Sequence, residues 1–125
     1  MPWIRTVPPA EATGALKREY DAAIARAGRV YKILETMSLA PEVLSASMAL
    51  YQRIMFASAG LARRQRELLA VVVSRANHCH YLIEAHAEDL RAEVRGLDAC
   101  ARQSYERAVR GEWRAAELPA AERAL

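Results

Sequence analysis

The sequence predicts an all-α protein, and three observations carry that expectation. Alanine, leucine, glutamate and arginine, all strong helix formers, dominate the chain. Only five glycines occur in 125 residues, with 53% hydrophobic and 26% charged residues, a composition short of the turn-forming residues that a chain of many short strands needs. Apolar side chains recur at intervals of three and four, the period of a helix face. The length fits one domain with a single modest core, residues 1–125, and about six helices.

After Pro8 and Pro9, "TGALKREYDAAIARAG" sets Leu16, Tyr20, Ala23, Ile24 and Ala27 at helical spacing, with Thr13 as cap and Gly28 as stop. Val30, Ile33, Leu34 and Met37 predict a second, shorter helix before Pro41. Val43, Leu44, Ser47, Met48, Tyr51 and Met55 mark a third, ended by the Ser58 to Gly60 stretch; its Met48, Tyr51 and Met55 stripe reads as core or subunit interface. From Arg63, the residues Leu68, Leu69, Val72, Val73 and Ala76 predict a helix buried over much of its surface. A central strand is the rival there. It loses because strong helix formers precede the segment and no partner strands exist. Asn77 is the boundary, and "CHYLIEAHAEDLRAEVRG" is the next helix, closed by Gly96. "DACARQSYERAVRG" carries Ala101, Tyr105, Ala108 and Val109 on one stripe, and "LPAAERAL" begins a last helix. Trp3 and Trp113 read as anchors for the terminal segments, and Cys100 as a small buried hydrophobe.

Charge and hydropathy exclude several partners. The +3 net charge arises from 18 basic residues interspersed with 15 acidic ones, a mixed potential that argues against nucleic acid. The densest basic run, Arg63, Arg64 and Arg66, is closed by Glu67 and holds no aromatic residue to stack on bases, so it reads as a solvated helix face. The longest apolar stretch, "LLAVVV" at 68–73, is far too short to span a bilayer. "MPWIRTVPP" lacks the apolar core of a secretory signal, which predicts a cytoplasmic protein with reduced thiols.

Chemistry concentrates in "RANHCHYLIEAHAEDL", residues 75–90. A cysteine in the first turn of a helix meets unpaired backbone N–H groups and the positive end of the dipole, surroundings that suit a sulfur nucleophile at Cys79. His86 follows seven residues later, on nearly the same face but about 10.5 Å along the axis. Position 82, one turn from each, holds Leu82. Glu67 precedes Cys79 by twelve residues, roughly 18 Å on a continuous helix, so the three meet only if the chain folds back near Asn77.

"RRQRELLAVVVSRANHCHYLIEAHAEDLR" resembles the core of the carboxymuconolactone decarboxylase-like superfamily, specifically its alkylhydroperoxidase D-like, peroxidase-related branch. Similarity to that branch extends to "WIRTVPPAEATG", "SLAPEVLSASMALYQRIMF" and "LPAAERAL", covering nearly the whole chain. The signature of the branch is a glutamate followed by C-x-x-C-x-x-x-H at the start of a helix, in an all-α fold assembled as trimers or hexamers. By resemblance, Glu67 matches the glutamate, Cys79 the first cysteine and His86 the histidine, whereas Leu82 stands where the second cysteine would be. The resemblance implies reduction of an organic hydroperoxide by a thiol, with Glu67 and His86 relaying protons. In the two-cysteine cycle the second cysteine is oxidised and the first resolves it, a step that Leu82 does not permit. Longer relatives continue past the "LPAAERAL"-like segment, so the resemblance also implies a shortened member whose exposed apolar surface favours association.

Two function classes therefore stand. One is a thiol-dependent, peroxidase-type oxidoreductase working with Cys79 alone, a hydroperoxide substrate and an external thiol. The other is a non-catalytic oligomeric or binding module that keeps the fold. Lactone decarboxylation is suggested only by the superfamily name and leaves Cys79 without a role. No organic cofactor is implied. His78, Cys79 and His80 could in principle bind zinc, but consecutive helical residues point in different directions, and no metal is predicted. His86 could instead be a core histidine satisfied by a backbone carbonyl or by Glu67, with no proton transfer. Glu84, Glu88 and Asp89 read as the solvated side of their helix.

Overall fold

A computed structural model describes residues 3–57 and 60–125, so the expected break at Ser58 lies outside the described residues. No strand occurs among the described residues, and the fold is all-α. In chain order the α-helices are α1 (Gly14–Ala27), α2 (Lys32–Glu35), α3 (Pro41–Met55), α4 (Arg63–Ala76), α5 (His80–Glu93), α6 (Ala99–Val109) and α7 (Ala120–Arg123), preceded by a 3-10 turn at Pro9–Glu11. Five are extended helices and two, α2 and α7, are single turns. The chain forms two compact units, residues 1–53 and 54–125.

In the first unit, α1 ends as its sequence predicts. Gly28 takes the left-handed conformation at φ 72° and returns its N–H to Ile24 O at 2.8 Å, which closes the last turn. Leu16, Tyr20 and Ala23 from α1 join Ala12, Leu34 and Leu44 in a core against which Met37 and Met48 pack. A fully buried leucine such as Leu44 contributes about 2 kcal/mol by leaving water. The entering segment is fastened through one residue: Val7 N–H donates to Ser38 Oγ (2.8 Å) and Val7 O accepts from Tyr20 OH (2.9 Å). The second predicted helix is shorter than its apolar pattern. Only Lys32–Glu35 are helical, and Ile33 lies exposed.

In the second unit, α4, α5 and α6 pack on one another around Leu68, Val71, Ala87, Leu90, Val94, Tyr105, Ala108 and Val109. Asp98 caps α6, its carboxylate accepting from Ala101 N–H at 2.8 Å. At the start of α4, the Gln65 side chain accepts from Ala62 N–H at 2.8 Å, half of a capping box. α5 stops at Glu93, capped by Val94, three residues before the expected Gly96.

Four expectations about burial are corrected. The inward face of α4 is Glu67, Leu68, Val71 and Ser74, while Val72 and Val73 are exposed, Val73 by 56%. The apolar run therefore does not turn inward as a whole; its Leu68 and Val71, with Glu67 and Ser74 on either side of them, form the inward stripe. Cys100 is exposed, because it stands at the outer start of α6. Trp3 and Trp113 are both exposed and anchor nothing by burial. Asp89 is only half-exposed and faces α4, unlike the exposed Glu84 and Glu88.

Candidate active site

The site is built on the α4–α5 hairpin. Its link is short because α4 ends in a Schellman motif: His78 N–H donates to Arg75 O (2.9 Å) and Cys79 N–H to Ser74 O (2.9 Å). This motif requires a left-handed residue, and His78 supplies it at φ 53° where glycine is usual. The reversal brings α5 back along α4, as a meeting of Glu67 with the cysteine-bearing helix requires.

Cys79 belongs to both elements. Its N–H ends α4, its carbonyl accepts from Ile83 N–H at 3.0 Å to begin α5, and it stands at the N-cap of α5 rather than inside the first turn. The thiol is free, half-buried and makes no cap hydrogen bond. Leu82, one turn on, is half-buried. His78 and His80 are exposed, and neither joins the titratable cluster of the site.

Glu67 has no exposed surface. A carboxylate so placed must be paired in charge and saturated in hydrogen bonds, and its two oxygens divide the work. Oε2 meets His86 Nδ1 at 2.8 Å. Oε1 accepts from Arg63 Nε at 2.6 Å, and the Arg63 terminal nitrogen closes on the same oxygen. Facing a carboxylate, Nδ1 is the donor, which leaves His86 Nε2 as the ring nitrogen not engaged by Glu67. Arg63 is itself held in place, lying 3.9 Å over the Phe56 ring and 3.6 Å from Asp89. Burial raises the Asp89 carboxyl above its ordinary range and the nearby Glu67 adds to the rise, while Arg63 and His86 oppose it.

Sequence reasoning brought Glu67 and His86 together but missed two members of the cluster. Arg63 precedes Glu67 by four residues and Asp89 follows His86 by three, each spacing placing the pair on one helix face. That was the available signal. The basic run at the start of α4 is no idle solvated face either: Arg64 Nε donates to Glu122 Oε1 (3.1 Å) and Arg66 Nε to Leu61 O (2.9 Å). Glu67, His86 and Asp89 also bring possible metal-ligating atoms within 4.8 Å of one another. The guanidinium of Arg63 already provides a cation against two of those three residues.

An all-α unit with a buried glutamate and a histidine paired across a helical hairpin defines a recognisable class. The model of the carboxymuconolactone decarboxylase family matches residues 41–125, and the chain belongs to that family. It has the fold of the alkylhydroperoxidase AhpD core seen in an uncharacterised peroxidase-related protein from Ralstonia eutropha. The two structures agree with a TM-score of 0.78 at 22% identity, over 97% of this chain and 60% of that one. The chain thus spans about 60% of that relative's length. No curated protein matches it.

Proposed function

We propose that the protein is a thiol-dependent, peroxidase-type oxidoreductase in which Cys79 is the sole redox centre and Glu67 and His86 carry protons. The observation that carries this reading is the 2.8 Å contact between the buried Glu67 and His86, reached from two helices, within seven residues of a half-buried free thiol. The Cys79 thiolate attacks the terminal oxygen of an organic hydroperoxide. An S–O bond forms as the O–O bond breaks, and the departing alkoxide takes a proton delivered through His86 and becomes an alcohol. An external thiol then attacks the sulfenic sulfur and releases water, and a second thiol reduces the mixed disulfide. With Leu82 at the second motif position, both reducing equivalents come from outside the chain.

A second reading, a non-catalytic module that keeps the fold, is favoured by Leu82 itself. Under either reading we place the protein in the cytoplasm as a homo-oligomer, an assembly supported by the exposed Val72 and Val73 on α4. The deciding assay is turnover of tert-butyl hydroperoxide with dithiothreitol by the native chain, Cys79→Ser and Leu82→Cys. Native activity that disappears in Cys79→Ser is the expected result. Activity that appears only in Leu82→Cys would overturn the one-cysteine reading and leave the module.

A further inference from the structure

Glu67 faces two cationic or proton-donating partners at once, and the chemistry available to His86 depends on how it is shared. Were Glu67 and Asp89 the only charges beside the ring, two carboxylates would draw a second proton onto the imidazole. The ring would then be a cation with N–H groups on both sides and no basic nitrogen. The charged groups acting around Asp89 are Glu67 and Arg63 from α4, and His86 and Glu88 from α5. Arg63 is the one permanent cation among them, and it is placed for the purpose. It occupies Oε1 of Glu67, leaves Oε2 to His86, and is steadied by the Phe56 ring and by Asp89.

We propose that Arg63 is a positioning residue that counters the Glu67 charge and fixes its orientation, so that His86 stays neutral with its proton on Nδ1 and Nε2 free as the working base. This assignment rests on the peroxidase reading only for what Nε2 then does; the state of the ring is a property of the folded chain. Arg63 touches no reacting atom. It acts through Glu67 on the nitrogen that exchanges a proton with substrate. An ammonium at this position would keep the charge while losing the fork that spans Glu67 and Asp89.

The test is nitrogen-15 NMR of the histidine rings in the full-length chain near neutral pH, with His86 assigned by loss of its signals in His86→Gln. The expected wild-type pattern is a neutral ring protonated on Nδ1. Arg63→Gln should convert it to the doubly protonated pattern, and Arg63→Lys should restore the neutral one. A wild-type ring protonated on Nε2 overturns the proposal without reference to any variant, which keeps it testable should Arg63→Gln fail to fold. An unchanged ring in a folded Arg63→Gln overturns it equally.

Hydroperoxide turnover separates this proposal from the reading beneath it. In an active protein, Arg63→Gln lowers kcat by about tenfold or more with little change in KM, the signature of impaired proton transfer, and Arg63→Lys recovers most of it. An inactive native chain whose ring still responds to Arg63 sinks the peroxidase reading and leaves the positioning role intact. An active chain whose ring ignores Arg63 does the reverse.

Discussion

Two adjacent arginines in the first turn of α4 each hold a buried glutamate, with different results. Arg63 pairs with Glu67 and Arg64 with Glu122 of α7, and both carboxylates are almost wholly removed from water. The third member differs. Glu122 is finished by Tyr105 OH at 3.4 Å, a neutral hydroxyl within the core of the second unit, whereas Glu67 is finished by His86, whose ring has a second nitrogen left over. A buried carboxylate with an arginine is therefore not in itself a sign of chemistry. At Glu122 it ties the short α7 to the start of α4, and at Glu67 the histidine brings a ring nitrogen that the pairing leaves over, the feature on which the proposed proton transfer depends.

Removing each arginine tests how far the likeness goes. Arg63→Met leaves one oxygen of a fully buried carboxylate without its guanidinium partner and should destabilise the protein by about 3 kcal/mol. Arg64→Met should cost about 1 kcal/mol, because Arg64 is 40% exposed and water compensates for much of the loss. Urea unfolding of the two variants, with unchanged m-values, measures the difference, and equal losses would dissolve the distinction. Tyr105→Phe removes only a long hydrogen bond and should cost roughly 0.5–1 kcal/mol with the His86 ring spectrum unchanged. A comparable shift comes from the hairpin that carries the site: His78→Gly relieves a left-handed non-glycine residue and should raise stability by about 1 kcal/mol.

The smallest effects lie in the pH dependence, where two half-exposed acids act with opposite sign. Arg91 hydrogen-bonds Glu106 and holds its carboxyl below the ordinary range. Its contribution to stability is therefore present above the unfolded value and is lost as pH falls through the lowered folded one. Asp89 is raised, chiefly by burial, so its folded form binds a proton more readily than the unfolded chain. The stability it contributes when protonated is lost as pH rises through the raised folded value. Urea midpoints between about pH 3 and about pH 7 should fall less on acidification in Arg91→Met and more in Asp89→Asn than in the parent chain.

Much of this arrangement was legible from residue spacing. Helix ends at Gly28 and Asn77 followed from backbone chemistry that local residues dictate. The approach of Glu67 to His86 followed because only a reversal at Asn77 could unite them. Burial was harder to read, since it depends on which face a neighbouring helix covers. The β-branched Val72 and Val73 looked like core, yet the inward face of α4 runs through Glu67, Leu68 and Val71. Arg63 and Asp89 looked like ordinary surface charges because Asp89 meets Arg63 only across the hairpin, and the carboxylate that Arg63 holds on its own helix is joined by His86 only once α5 folds back. Cys100 shows the limit of a residue-type preference: the identity suggested burial, and its place at the outer start of α6 exposes it.

The Schellman link at residues 77–79 also sets a rule about chain length. Successive residues on an α-helix are rotated by about 100° and advanced by about 1.5 Å. One residue added to or removed from that link would turn the whole of α5 in phase against α4, carrying His86 around the helix and away from Glu67. Substitutions at the link can be absorbed, as a histidine in a glycine's conformation already is. The nineteen-residue interval between Glu67 and His86 cannot change so freely. In proteins built on this hairpin the interval should be kept strictly even where the cysteines are not, making gaps and insertions a sharper guide to a surviving glutamate–histidine pair than the identity of any single residue between them.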